Sequence, residues 1–187
     1  MKKYLDIYLD LETPGTVPSS GFWELGALFA DGDKVVEELL LHAACKPFDD
    51  DTKAWAVKKK IWPRFLGTRK GALTQAEAIR HYTAAALRLA ASVEATHLRV
   101  LTWGQFDSPI LNECAAELDE DLPHHYRNEI DLRGVAVFLG IDDLPERSTH
   151  HAGEDARALF DFRVRNWPGH SAHSAPEQST TEQAGGN

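Results

Sequence analysis

A chain of 187 residues, 43% hydrophobic and 26% charged, is long enough for one domain with a hydrophobic core of ordinary size. Its formal net charge of −9 argues against a general nucleic-acid coat protein, which would normally be basic. The charge does not exclude an enzyme that meets phosphates through bound divalent cations, because the ions reverse the local sign. The longest apolar runs, residues 84–89 and 135–139, are too short to cross a bilayer, so no membrane partner is expected.

The cysteines and the start of the chain bear on the cellular compartment. Cys45 and Cys114 form no C-x-x-C motif, which argues against a disulfide framework and against a structural zinc site. The chain starts Met1-Lys2-Lys3 and then enters a strand with two acids, so a signal peptide is not expected. These features together predict a reduced, cytoplasmic setting.

The first predicted element is a β-strand, because apolar residues recur at every second position: Leu5, Ile7, Leu9 and Leu11. The same alternation places Asp10 and Glu12 side by side on the opposite face, just before Pro14-Gly15 ends the strand. Two carboxylates this close repel each other. We therefore expect them either on a solvated strand face or around a cation.

Three more strands follow from the apolar and turn patterns. Two of them, residues 22–29 and 34–42, are joined by the turn Asp31-Gly32-Asp33 and form an antiparallel hairpin. A fourth strand is predicted over residues 98–103.

Helices are predicted over residues 52–60, 74–92, 107–118, 131–139 and 152–166. The first of them ends at Trp62-Pro63, since a proline disfavours helical geometry in the residue before it. Thr74 and Glu77 have the spacing of a capping box at the start of the second.

The order of these elements predicts an α/β fold, in which a mixed β-sheet is flanked by helices, over residues 1–166. Residues 167–187 are rich in Ser, Thr, Gln and Gly and cannot bury a core. This C-terminal tail is predicted to be disordered.

Basic residues are concentrated in one window: Lys53, Lys58, Lys59, Lys60, Arg64, Arg69 and Lys70. A solvated helix face accounts for such a cluster, and so does a local patch that guides phosphates on an otherwise acidic protein. Both interpretations stay open, because residues 55–71 match no motif.

Two further acids stand where helices begin. Asp107 follows the fourth strand and a glycine, Gly104, and Asp155 lies in the first turn of the last helix, after His150 and His151. Each also has a purely structural interpretation. Asp107 or the next residue would cap a helix, Asp155 would face the positive end of a helix dipole, and the histidines would be ordinary loop residues.

Together, three motifs resemble the DEDDh group of 3′-to-5′ exonucleases, which includes proofreading subunits, ribonuclease T, oligoribonuclease and phage or bacterial exoribonuclease domains. The motifs are DLETPG at residues 10–15, GQFD at 104–107 and HHAGEDAR at 150–157, and ELGA at 24–27 resembles the second-strand signature of the group. The resemblance covers about residues 3–165. It implies a ribonuclease H-like fold, with an exonuclease domain over residues 1–166.

The resemblance also implies two divalent cations, Mg²⁺ or Mn²⁺. Asp10 would bridge both ions, Glu12 and Asp155 would hold the first, and Asp107 would assist the second through water. His150, five residues before Asp155, would take the proton from the attacking water. His151 is the less expected base, because a sister group carries tyrosine at its position.

The chemistry of phosphodiester hydrolysis independently requires residues of these types. Phosphodiester hydrolysis builds negative charge on the attacking and leaving oxygens, which two cations can stabilise. Hard oxygen ligands select magnesium or manganese over zinc. A histidine with a pKa near neutrality suits general-base work at cellular pH.

The implied substrate is a single-stranded 3′ end of RNA or DNA, from which nucleoside monophosphates are released. Thr13, Phe22, Trp103 and Phe106 border the motifs and are the candidate substrate-binding residues. Trp103 stands near the place where many members carry Asn or His, and it either stacks on a base or is buried at a strand end. Members of the group are often homodimers, which makes a homodimer compatible with the resemblance.

Two alternative functions belong to other classes. The first is a catalytically inactive nucleic-acid-binding or scaffold domain that retains the fold. The intact set of acids argues against this alternative. The second is a different metallohydrolase on an unrelated fold, against which the order of strands around the carboxylates speaks.

Overall fold

A five-stranded mixed sheet forms the centre of the protein, and helices cover both of its faces. The computed structural model describes residues 2–15, 17–142, 145 and 149–168, so the predicted disordered tail lies outside the described residues from residue 169 onward. The strands are β1 (Tyr4–Glu12), β2 (Glu24–Asp31), β3 (Lys34–His42), β4 (His97–Thr102) and β5 (Glu129–Asp131). The helices are α1 (Asp50–Lys58), α2 (Trp62–Thr68), α3 (Gln75–Ser92), α4 (Asp107–Glu117), α5 (Leu132–Phe138) and α6 (Ala152–Asn166), with short 3₁₀ turns at Pro18–Ser20 and Tyr126–Asn128.

The strands lie in the order β3-β2-β1-β4-β5, so the first strand is at the centre of the sheet. β1 pairs antiparallel with β2 and parallel with β4, and β4 pairs parallel with β5. Because β1 and β4 run in the same direction, the segments that follow them emerge at the same edge. This edge brings the end of β1 close to the start of α4.

Hydrophobic clusters cover both faces of β1. On one face, the alternating leucines and Ile7 pack into the larger core with buried residues of α3 and α4, among them Ile79 and Leu111. On the other face, Tyr8 packs edge-on against Phe160 of α6, with 5.4 Å between the ring centroids. The alternative that this face of β1 is exposed to solvent, which the sequence left open, is therefore wrong. Asp6, on the same face, is buried and is paired with Arg99 at 2.7 Å.

Several predicted elements are confirmed. β3 and α6 have the predicted bounds, and the capping box of Thr74 and Glu77 opens α3. β2, β4 and α1 are shifted by one or two residues. Trp167, predicted to belong to the disordered tail, is half-buried and packs edge-on against Phe162 at 5.7 Å.

The structure differs from the sequence-based expectations at three places. α1 ends before Trp62-Pro63 as expected, but these residues begin a further helix, α2, which was not predicted. Proline is tolerated in the first turn of a helix because an N–H at that position would have no helical acceptor. The short strand β5 was not predicted, since its three residues carry too little pattern. α4 is not capped by Asp107 or Ser108: its N-cap is Phe106, which makes no side-chain capping bond.

Among the described residues, no helix is long and apolar enough to cross a membrane.

Candidate metal centre and its cleft

Three buried carboxylates converge at the end of β1. Asp10, Glu12 and Asp155 each offer an oxygen atom that lies within 4.8 Å of the other two. Their exposed fractions are only 2%, 9% and 5%, so water screens their mutual repulsion poorly. A group of three carboxylates with oxygen donors alone suits a hard divalent cation such as Mg²⁺ or Mn²⁺.

A glycine on the neighbouring strand allows the third carboxylate to approach the first. Gly26 on β2 is the pairing partner of Asp10. A Cβ atom at Gly26 would lie 2.2 Å from the backbone carbonyl carbon of Ala152, the first residue of α6. Only glycine therefore lets the start of α6 pack directly on β2, and this contact holds Asp155, in the first turn of α6, against Asp10.

Asp107 lies beside this group, in the first turn of α4. It is buried, and its Oδ1 accepts a hydrogen bond of 3.2 Å from the backbone N–H of Leu11, between the two β1 carboxylates. The bond connects α4 to the end of β1. Asp107 thus lines the same cleft as Asp10, Glu12 and Asp155, although it does not belong to the tight group of three.

Burial, and after it the nearby negative charge, shifts the pKa of Glu12. Burial raises the pKa of Glu12 to about 8, and the nearby carboxylates of Asp155, Glu24 and Asp107 add to the rise, while Arg64 opposes it. Asp155 accepts a hydrogen bond of 3.1 Å from the hydroxyl of Thr149. Without a cation, the site therefore favours a protonated Glu12 over a fully ionised set of carboxylates.

The two adjacent histidines have different surroundings. His150 lines the cleft of the carboxylates, and its ring packs edge-on against Trp55 of α1, with 5.0 Å between the centroids. His151 lines a different cavity, of about 340 Å³, and its Nε2 lies 3.8 Å from Oε1 of Glu24. Of the two histidines, the one that the resemblance selects is the one that faces the carboxylates.

An ion pair between the buried Glu24 and the partly exposed Arg64 supports the backbone of His150. Glu24 has no exposed surface, and its Oε2 lies 2.8 Å from Nη2 of Arg64 on α2. The same Nη2 donates a hydrogen bond to the carbonyl of His150, whose φ of +49° lies in the left-handed region. The guanidinium group also lies 4.9 Å from the ring centroid of Trp23, and Nε2 of His42 lies 3.4 Å from Oε1 of Glu24.

The cleft above the carboxylates has a volume of about 760 Å³. Of the predicted substrate-binding residues, Thr13, Trp103 and Phe106 line it. The hydroxyl of Thr13 donates to the carbonyl of Gly15, and Trp103 packs edge-on against Phe162 at 5.2 Å, so the ring of Phe106 is the most exposed of these side chains.

The prediction that Phe22 contacts substrate is wrong. Its side chain has no exposed surface and belongs to the larger core cluster, because the chain turns inward before β2 begins. Its backbone is held by the side-chain amide of Gln75: the N–H of Phe22 donates to Oε1, and the carbonyl of Phe22 accepts from Nε2.

Sequence reasoning missed one wall of the cleft, which belongs to α1. Asp49, which precedes α1, and Asp51, Thr52 and Trp55 of α1 line the cleft together with the β1 carboxylates. Asp49 is the N-cap of α1 and accepts a hydrogen bond of 2.7 Å from the N–H of Thr52. The acidic run before the helix was the available signal, but it indicates a cap as readily as a site. Arg64 was noted only as part of the basic window.

No model of a known protein family and no curated protein matches this chain in sequence comparisons. The functional interpretation therefore depends on the residues and their geometry. That geometry consists of a buried carboxylate group at the base of a cleft, a histidine at its side and aromatic rings along its wall.

Proposed function

We propose that the protein is a divalent-cation-dependent 3′-to-5′ exonuclease that removes nucleoside monophosphates from single-stranded 3′ ends of RNA or DNA. The observation that carries the proposal is the group formed by Asp10, Glu12 and Asp155, whose oxygens lie within 4.8 Å of one another at the base of the cleft. The five-stranded mixed sheet is compatible with the ribonuclease H-like fold that the motifs imply.

The residues fit a divalent cation on chemical grounds. Burial raises the pKa of Glu12 to about 8 even though Arg64 is nearby, and a bound cation would favour its ionised form. Asp10, Glu12 and Asp155 would hold magnesium or manganese, with Asp107 as the additional carboxylate toward a second ion. Two such ions lower the pKa of an attacking water and stabilise the charge that develops on the leaving oxygen.

His150 is the proposed general base. It is the histidine that lines the cleft, and a neutral imidazole can accept the proton of an attacking water at cellular pH. The hydrogen bond from Arg64 to its carbonyl stabilises the left-handed conformation of its backbone, which is uncommon for residues other than glycine. The edge-on contact with Trp55 restricts the orientation of the imidazole ring of His150.

The terminal nucleotide of the substrate would lie against the aromatic wall of the cleft. Phe106 and Trp103 offer ring surface for stacking on a base, and stacking accepts any base because every base has a π-face. Thr13 is close to the carboxylates in sequence and lines the same cleft. A homodimer stays a prediction from the resemblance.

The proposal is tested with matched RNA and DNA oligonucleotides labelled at the 3′ or the 5′ end, in magnesium, manganese or chelator. We expect release of a labelled mononucleotide from the 3′-labelled strand at the first turnover, and a descending ladder from the 5′-labelled strand. Both should require the cation. Binding without hydrolysis under any of these conditions would favour the inactive nucleic-acid-binding domain instead.

A further inference from the structure

A second pocket, of about 450 Å³, adjoins α1 and has a composition that differs from the catalytic cleft. We call it the basic pocket. It is lined by aromatic and basic side chains, chiefly Phe48, Trp62, Phe65, Lys46, Lys53 and Arg69. It accounts for part of the basic window that the proposed catalytic residues leave unexplained.

The basic pocket has the opposite charge to the cleft. Its charged lining residues are Lys46, Lys53 and Arg69, without a carboxylate among them, on a chain with a net charge of −9. Lys46 forms a salt bridge with Glu117, in which Nζ and Oε2 are 3.6 Å apart. Within the described part of the chain, Lys53 and Arg69 form no salt bridge, so their charges are available to an anion.

These two cations lie over aromatic rings. Nζ of Lys53 is 5.3 Å from the ring centroid of Trp62, and the guanidinium carbon of Arg69 is 5.8 Å from that of Phe65. Phe48 packs against both rings, at 5.3 Å from Trp62 and 4.6 Å from Phe65, and these two rings are themselves 5.2 Å apart. Phe65 is buried in a core cluster with Trp23, so the ring surface within reach of a nucleobase is that of the partly buried Phe48 and Trp62. Such rings, with cations at their rim, offer stacking to a base and charge pairing to its phosphate.

One helix connects the pocket to the cleft. Thr52 and Trp55 of α1 line the cleft, and Lys53, on the same turn, lines the basic pocket. An α-helix with its side chains is about 10–12 Å across. A single strand with its 3′ end in the cleft crosses that width within a few nucleotides.

We propose that the basic pocket binds a nucleotide upstream of the 3′ end of the strand that enters the cleft. This inference rests on the proposed function, because it takes the cleft to hold the 3′ end. It makes the preferred substrate a single strand of several nucleotides. A dinucleotide fills the cleft but does not reach Lys53 and Arg69.

Binding of oligonucleotides of two and ten nucleotides, labelled at the 5′ end, tests this by fluorescence polarisation in magnesium. The full chain carries Asp155→Asn in all samples so that the substrate is not consumed. The test variant adds Lys53→Gln and Arg69→Gln. The matched control adds Lys58→Gln and Lys70→Gln, which removes the same charge from exposed positions of the same segment that do not line the pocket.

We expect the test variant to bind the ten-nucleotide strand about tenfold more weakly than the control, and both variants to bind the dinucleotide alike. Losing two phosphate contacts should also reduce the slope of log affinity against log salt by about 1.4, since single strands contribute about 0.7 per phosphate. Equal affinity of both variants for the longer strand would overturn the proposal. Equal melting temperatures of the variants confirm that folding is not the cause of any difference.

The outcomes separate this inference from the proposed function. A length-dependent loss at the basic pocket, in a protein whose wild-type chain hydrolyses nothing, would support the pocket and refute the exonuclease. Hydrolysis by the wild-type chain, with identical binding by the test and control variants, would refute the pocket and leave the exonuclease in place.

Discussion

The guanidinium group of Arg64 donates a hydrogen bond to the backbone carbonyl of His150 while it forms an ion pair with Glu24 at 2.8 Å. Arg64 and His150 are 86 residues apart in sequence. Glu24 lies at the start of β2, and its side chain has no exposed surface. One side chain therefore balances a buried charge and fixes the backbone of the proposed base. The stability of the fold and the position of the proposed base therefore depend on the same side chain.

Replacing Arg64 with methionine should destabilise the protein strongly, because it leaves Glu24 buried without its partner. Breaking a buried ion pair costs roughly 3–5 kcal/mol, and we expect the lower end because Arg64 is partly exposed. Urea denaturation measures the loss. Arg88→Met is the matched control, since Arg88 pairs with Glu37 at 2.7 Å on the surface, where such pairs contribute about 1 kcal/mol or less. Equal losses for both variants would contradict the structural role of Arg64.

Two substitutions of Asp107 should separate its charge from its hydrogen bond. Asp107→Asn keeps an oxygen that can accept from the N–H of Leu11, so it should remove activity and leave stability within about 1 kcal/mol of wild type. Asp107→Ala leaves that buried N–H without an acceptor and should lose about 1–3 kcal/mol in addition. Urea denaturation and a nuclease assay on both variants check this. An active Asp107→Asn protein would show that the charge is not required.

The histidines should differ sharply in their effect on turnover. His150→Ala should slow hydrolysis by about two to four orders of magnitude, as expected for a general base, whereas His151→Ala should slow it less than about tenfold. A larger loss for His151→Ala would show that the other histidine is the base.

Glu12 should make the stability of the cation-free protein depend on pH. Its pKa is raised to about 8 in the fold, against an ordinary value of 4.5. Between these values the unfolded chain holds fewer protons than the folded one, so the free energy of unfolding falls as pH rises. Glu12→Gln removes this dependence. Urea denaturation in chelator should therefore show the variant gaining stability over wild type from about pH 5 to pH 8, and a constant difference would contradict the shift.

The centre of the fold could be predicted from local patterns. The alternation in β1 predicted the strand and its two faces, and the capping signal of Thr74 and Glu77 predicted the start of α3. These features depend on neighbours in sequence. The helix α2 was not predicted, because the proline that disfavours a helix before it is also well tolerated in the first turn of the next helix.

The candidate site could be predicted only in part, for a related reason. Asp10, Glu12 and Asp155 come from recognisable motifs, and they converge. The role of Arg64 depends on Glu24, 40 residues earlier, and on His150, 86 residues later, and no local pattern encodes either pairing. The burial of Phe22 depends on how the chain enters β2, which its position beside the motif does not specify.

The most direct test of the central claim is the release of a labelled mononucleotide from a 3′-labelled single strand as magnesium is titrated, with wild type compared with Asp155→Asn and Asp161→Asn. Asp155 belongs to the buried carboxylate group, whereas Asp161 is exposed on the same helix. We predict magnesium-dependent release by wild type and by Asp161→Asn, and none by a folded Asp155→Asn. Release by Asp155→Asn at the wild-type rate, or release by wild type in chelator, would contradict the assignment of this carboxylate group as the catalytic metal site.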